Sequence, residues 1–197
     1  MKGKQKLMII YATKQTIERY GLPDDLHPEG NVVPLFAARE TGNPLQEWGA
    51  KLFYFDRRKC LQVCNFASKF TLFLFDLKKK DVDLIGELIG FYIYELYSDD
   101  EEMKPAIVEL FGLKPAVCFS RLTDKRIIAT LNSTQRTFAA DGDYFYRFIE
   151  DGVLDTMEIN RRFNFDYITT DKIDGKTQYF MPNERFRELV LAEYGGK

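Results

Sequence analysis

The sequence holds a single histidine, His27, and three cysteines, Cys60, Cys64 and Cys118, in 197 residues. Scarce histidine removes the commonest general base and metal ligand near neutral pH, which narrows the enzyme classes open to the chain. Three cysteines, an odd number without framework spacing, do not make a secreted disulfide scaffold. Neither charge sign dominates: 28 Lys and Arg face 30 Asp and Glu, a net charge of −2. A dedicated nucleic-acid binder usually carries a clear positive excess. Long apolar runs are missing too, and the best window, Leu84 to Tyr97, is broken by Glu87 and Glu95. The basic start, Met1 to Lys6, resembles the first part of a signal peptide, but the apolar run Leu7 to Ala12 is too short and Lys14 follows it. These absences predict a cytoplasmic, thiol-reduced protein with no membrane contact. Gly-rich phosphate loops, dinucleotide fingerprints, His-Glu-x-x-His and Gly-x-Ser-x-Gly are absent, so no cofactor is implied.

What is present is a hydrophobic content of 45%, enough to fill a core, and 17 Phe with 11 Tyr, which build either that core or a stacking surface. Leu7 to Tyr11 reads as a buried strand. Thr13 caps a short helix to Tyr20, ended by Gly21. Residues 21–44 read as a long Gly- and Pro-rich loop that holds His27, with a short strand at Val32-Val33. Lys51 to Phe55 and Cys60 to Cys64 are strands joined by a turn that Asp56 favours as type I, and Phe70 to Phe75 is a third. Asp81 or Asp83 starts a helix to Tyr97, whose Val82, Ile85, Ile89, Tyr92 and Leu96 form one apolar stripe. A second helix has Pro105 in its first turn and ends at Gly112. Pro115 to Phe119 is a strand. Residues 125–139 fit a helix face at Ile127, Ile128 and Leu131 but are flanked by threonines. Tyr144 to Ile149 is helical by pattern. Phe163 to Thr169 and Thr177 to Phe180 form a hairpin across Asp174-Gly175, and a helix runs from Pro182 to Tyr194.

These elements predict an α+β fold: a largely antiparallel sheet with a three-stranded meander over about residues 50–76, helices packed on one face, and a C-terminal hairpin plus helix. Residues 1–140 form the main domain and 141–197 a helix-hairpin-helix extension packed on it, unless the whole chain is one domain.

Four groups of residues carry possible chemistry. Cys60 and Cys64 share a strand face about 13 Å apart, at ~3.3 Å per residue, too far for one zinc ion, so the cysteines read as core and no metal site is expected. His27 lacks an evident partner. Asp56, Asp76 and Lys78 match the Asp … Asp-x-Lys pattern of nucleases in which carboxylates hold Mg²⁺ and lysine steadies the attacking water. Both elements fall at strand ends, which also explains them as turn residues. Arg57, Arg58 and Lys59 lie in one turn, and Lys78, Lys79 and Lys80 follow the third strand. The meander places both clusters at one end of the sheet, where they would meet phosphate groups or nucleic acid.

Three segments in order resemble a family of small bacterial proteins known as a domain of unknown function. They are Ile9 to Lys14; Trp48 to Phe53 with Arg57 to Cys60, Asn65 and Thr71; and Phe119 to Thr123 with Arg126, Leu131 and Asn132. The resemblance spans about residues 7–135 and implies no activity. It singles out Thr13, Lys14, Trp48, Arg58, Thr123, Arg126 and Asn132 as positions to locate.

The expected function is a non-catalytic binding or regulatory module whose ligand face includes loop 21–44 and the basic hairpin end. Its candidate binding residues are Lys14, Trp48, Arg57, Arg58, Lys59, Thr123, Arg126 and Asn132. A metal-dependent phosphodiesterase built on Asp56, Asp76 and Lys78, with Mg²⁺, is the first alternative. A structural subunit of a homo-oligomer, joined through exposed Tyr92, Tyr94 and Tyr97, is the second.

Overall fold

The computed structural model describes residues 6–22, 43–112, 114–140, 142, 144–173 and 175–196. The proposed strand at Val32-Val33 and His27 lie outside them. A five-stranded sheet forms the centre, in the order β4-β3-β2-β1-β5. Its strands are β1 (Leu7–Ala12), β2 (Glu47–Phe55), β3 (Arg58–Asn65), β4 (Thr71–Leu74) and β5 (Ala116–Arg121). β2, β3 and β4 make the expected antiparallel meander, while β1 runs parallel to both β2 and β5. The α+β class is as the sequence predicts, and the sheet is mixed.

Six helices accompany it among the described residues: α1 (Lys14–Tyr20), α2 (Ile85–Leu96), α3 (Met103–Phe111), α4 (Lys125–Ala140), α5 (Thr156–Phe165) and α6 (Pro182–Gly195). Alternation along the strands sorts their side chains. Met8, Ile10, Ala12, Trp48, Ala50, Leu61, Val63, Leu72 and Leu74 face a core shared with Tyr20 of α1, α2, α3 and α6. Phe186 of α6 lies at its centre, ringed by Trp48, Phe70, Tyr97 and Phe111. The sequence suggested helices on one face only, but they occupy both. Ile127 and Leu131 of α4 pack with Cys64 on the opposite side. Gly49 allows this approach, because a Cβ there would lie 2.2 Å from Ile127 Cγ2.

Local chemistry explains most boundaries. Thr13 Oγ1 accepts from Thr16 N–H, and Gly21 closes α1 in the left-handed conformation (φ 62°). The β2–β3 loop is Asp56-Arg57, with φ of 48° and 62°. Two left-handed central residues make a type I′ turn, not type I, because that twist matches the strands. The helix expected from Asp81 begins as a 3₁₀ turn (Lys79–Leu84) in which Asp81 accepts from Lys78 N–H, and becomes α-helical at Ile85. Tyr144 to Ile149 yields only a single 3₁₀ turn, Phe145–Phe148. It leads into the small hairpin β6 (Ile149–Glu150) and β7 (Val153–Leu154).

The C-terminal hairpin is β8 (Thr169–Ile173) and β9 (Lys176–Phe180), so its first strand starts six residues later than expected. Residues 163–165 belong to α5, which Asp155 caps by accepting from Glu158 N–H. α5 closes the open edge of β4 with side chains. Asn164 Oδ1 accepts from Thr71 N–H at 2.8 Å and its Nδ2 donates to Thr71 O at 2.7 Å. Asn160 treats Phe73 the same way, at 2.7 and 3.2 Å. Four helical residues rise about 6 Å and two strand residues about 6.7 Å, so asparagines one turn apart match alternate residues of a strand.

The tyrosines proposed for an oligomer interface are mostly enclosed. Tyr97 is buried and donates to Asn183 O, and half-buried Tyr92 donates to Thr156 Oγ1. Tyr94 also packs against the main core. None of the described helices is long and apolar enough to cross a membrane.

Candidate functional site

The two basic clusters do meet at one end of the sheet. Leu77 N–H donates to Lys59 O at 2.9 Å, which brings the exit of β4 beside the β2–β3 turn. Several charges there already have work. Arg58 pairs with Asp76 (3.4 Å), and Asp56 accepts from Tyr146 OH. Lys59 donates to Arg19 O, and Lys79 lies against Gly21, so both cations face the carbonyl end of α1, where the helix dipole favours them. Arg57, Lys78 and Lys80 remain exposed. No cluster of three or more His, Cys, Asp or Glu able to hold a metal occurs among the described residues.

The other singled-out residues are dispersed. Lys14 is exposed and 3.7 Å from Glu18. Trp48 is fully buried, its indole N–H without an acceptor, so it is core and unavailable to a solute. Asn132 accepts from Lys51 Nζ at 2.7 Å. Burial, with Arg136 nearby, pushes the Lys51 ammonium below its ordinary pKa. Thr123 is exposed just before α4. Asp124 caps that helix, accepting from Arg126 N–H and Ile127 N–H, and also pairs with the Arg126 guanidinium at 3.2 Å. That pairing raises the guanidinium pKa further.

Arg126 alone of these lines a groove of about 490 Å³, a usual size for a small-ligand site. One wall is the outward face of α4, from Arg126 to Phe138. The other is Tyr167 to Lys172, leading into β8. Lys69 and Thr71, at the start of β4, also line it, as do Tyr144 and Phe163. Six threonines besides Thr71 and one serine, Ser133, make it rich in hydroxyls.

The loop after β3 shapes this corner. Asn65 Oδ1 accepts from Ala67 N–H, Ser68 N–H and Ser68 Oγ, while its Nδ2 donates to Leu45 O. Lys69 follows with φ 61°, its side chain buried. Its ammonium lies 3.4 Å from Asp171 Oδ2, with side-chain exposures of 1% and 10%, and no acceptor meets it in hydrogen-bond geometry. Nearby Cys64 is fully buried, and burial pushes its thiol up to about 11, so it is a neutral thiol at pH 7 and no nucleophile.

Sequence reasoning found Arg126 and missed Lys69, Asp171 and the groove. The threonines at 130–137 and 169–177 were the available signal, but they register first as poor helix formers. No curated protein matches the chain. The family model for the domain of unknown function DUF6933 matches residues 9–185, nearly the whole chain and more than the 7–135 that the motifs suggested, and the protein belongs to that family.

Proposed function

We propose that the protein is a non-catalytic binding or regulatory module whose ligand, a small organic anion, occupies the groove between α4 and β8. The observation that carries this reading is the buried Lys69 ammonium, which lines the groove without a hydrogen-bond acceptor. A buried cation with one imperfect partner is costly unless something completes its coordination. Arg126 and Lys172 add positive charge, and Phe138, Tyr144, Phe163 and Tyr167 supply apolar surface. The test is thermal denaturation of the full chain against a panel of small metabolic anions, with Ser133→Trp to fill the groove from the exposed face of α4. At least one compound should stabilise the wild type and lose its effect in the variant. If no stabilisation depends on position 133, the reading is wrong.

A second, weaker contact with phosphates is proposed at the basic hairpin end, where Arg57, Lys78 and Lys80 are exposed beside Tyr54, itself 52% exposed. Replacing all three cations by Glu should abolish any salt-dependent binding of a single-stranded oligonucleotide. Binding unchanged in that variant would remove this surface from consideration.

A further inference from the structure

We propose that Asp171 is an internal stand-in for the ligand, and that the ligand is a phosphate monoester of nucleotide size whose phosphate displaces the Asp171 carboxylate from Lys69. This rests on the groove being a binding site and names what enters it.

The charge arrangement comes first. Lys69, Arg126 and Lys172 line the groove against the single carboxylate of Asp171. Asp124, beside the groove, already pairs with Arg126 at 3.2 Å, so one positive charge remains in excess when the groove is closed. A dianionic phosphate offsets this charge better than a carboxylate does, and offers several acceptor oxygens to an ammonium that has three donors. Asp171 meets that ammonium at 3.4 Å through Oδ2 only, because Oδ1 accepts from Lys172 N–H.

The carrier of Asp171 is built to let go. β8 pairs only with β9 among the described residues, and a lone two-stranded hairpin is marginally stable. Residues 176–179 of β9 are all exposed. Tilting the hairpin therefore breaks few contacts, and it uncovers Lys69.

The hydroxyls indicate what is attached to the phosphate. Thr130, Thr134 and Thr137 donate their protons to Arg126 O, Thr130 O and Ser133 O. Their oxygens are then left as acceptors, which suits the hydroxyl groups of a sugar. Tyr167, which is 44% exposed, offers ring surface to a base.

The experiment is calorimetric titration of the full chain, wild type, Asp171→Asn and Lys69→Met, with AMP, adenosine, ribose 5-phosphate and inorganic phosphate. AMP should bind Asp171→Asn at least tenfold more tightly than wild type, and Lys69→Met not measurably. Adenosine should bind at least tenfold more weakly than AMP, and ribose 5-phosphate should fall between AMP and inorganic phosphate. In wild-type protein the ¹³C resonance of the Asp171 carboxyl should move on AMP addition, a readout that needs no variant to fold. Equal or weaker AMP binding by Asp171→Asn, or a carboxyl resonance that stays put at saturation, overturns the stand-in role. Adenosine binding as well as AMP overturns the phosphate assignment. No binding of AMP to any form overturns the proposal outright, while the groove itself stands or falls with the Ser133→Trp result.

Discussion

On one face of the sheet, Phe70, Tyr97, Phe111 and Trp48 close around Phe186 with almost no polar group between them. On the other, α4 rests on Gly49 and is tied to the sheet by polar contacts: Lys51 to Asn132, and Gln135 to Leu52 O. Gln62, on that second face, is fully buried with neither amide atom partnered. The first face is mainly ring packing, although it too buries two unpartnered polar atoms, Trp48 Nε1 and the Tyr20 hydroxyl oxygen. The second holds charges, hydroxyls and an unsatisfied amide, and it borders the groove.

The contrast can be broken by experiment. Phe186→Ala should remove about 3–5 kcal/mol, read as a fall in the urea midpoint, because the surrounding rings cannot collapse into the space. A loss under about 1 kcal/mol would show that this face is not the keystone. Asn160→Ala strips Phe73 N–H and C=O of their partners, at about 1–3 kcal/mol for each buried group left unsatisfied, and the Phe73 amide should then exchange hydrogen faster. Gly49→Ala forces a Cβ into Ile127 and should cost about 1–3 kcal/mol by overpacking, lifting the α4 wall and weakening groove binding as well. Binding unchanged in that variant would separate α4 seating from the groove.

The smallest effect is expected at the surface. Hydrogen bonding from Arg187 holds the Asp100 carboxyl below its usual range, helped by Met103 N–H and Glu102 N–H at the start of α3 and opposed by desolvation. A carboxyl with a lowered folded-state pKa stabilises above the unfolded value, and that contribution disappears as pH falls through the folded one. Asp100→Asn keeps a capping oxygen and loses the charge. It should cost under about 1 kcal/mol at pH 7 and flatten the loss of stability below about pH 4. Identical acid limbs for the two proteins would mean that the pair contributes nothing.

The meander was legible because its strands alternate, and α1 because Thr13 and Gly21 sit where cap chemistry needs them. α5 was not. Phe163, Phe165 and Tyr167 alternate like a strand, and Asn160 and Asn164 are poor helix formers whose amides find their partners only on β4. Asp56 favoured a type I turn locally, and strand twist overruled it. For the candidate site, Arg126 stood out through its segment. Lys69 reads as one more turn lysine, and nothing in the chain announces that Asp171 will meet it, because that pair exists only once the hairpin folds back over α4.

The asparagine pair of α5 also carries information. A peptide unit and a carboxamide expose the same donor and acceptor, so to β4 the helix is indistinguishable from a neighbouring strand that happens to be only two residues long. Such a reader tolerates no slip. Moving β4 by one residue would present Leu72, whose N–H and C=O point toward β3, and both amides would face Cα–H groups with nothing to donate to or accept from. α5 thus proofreads the strand it covers: the sheet is complete only in the register that two side chains can recognise, and no further chain can be added there.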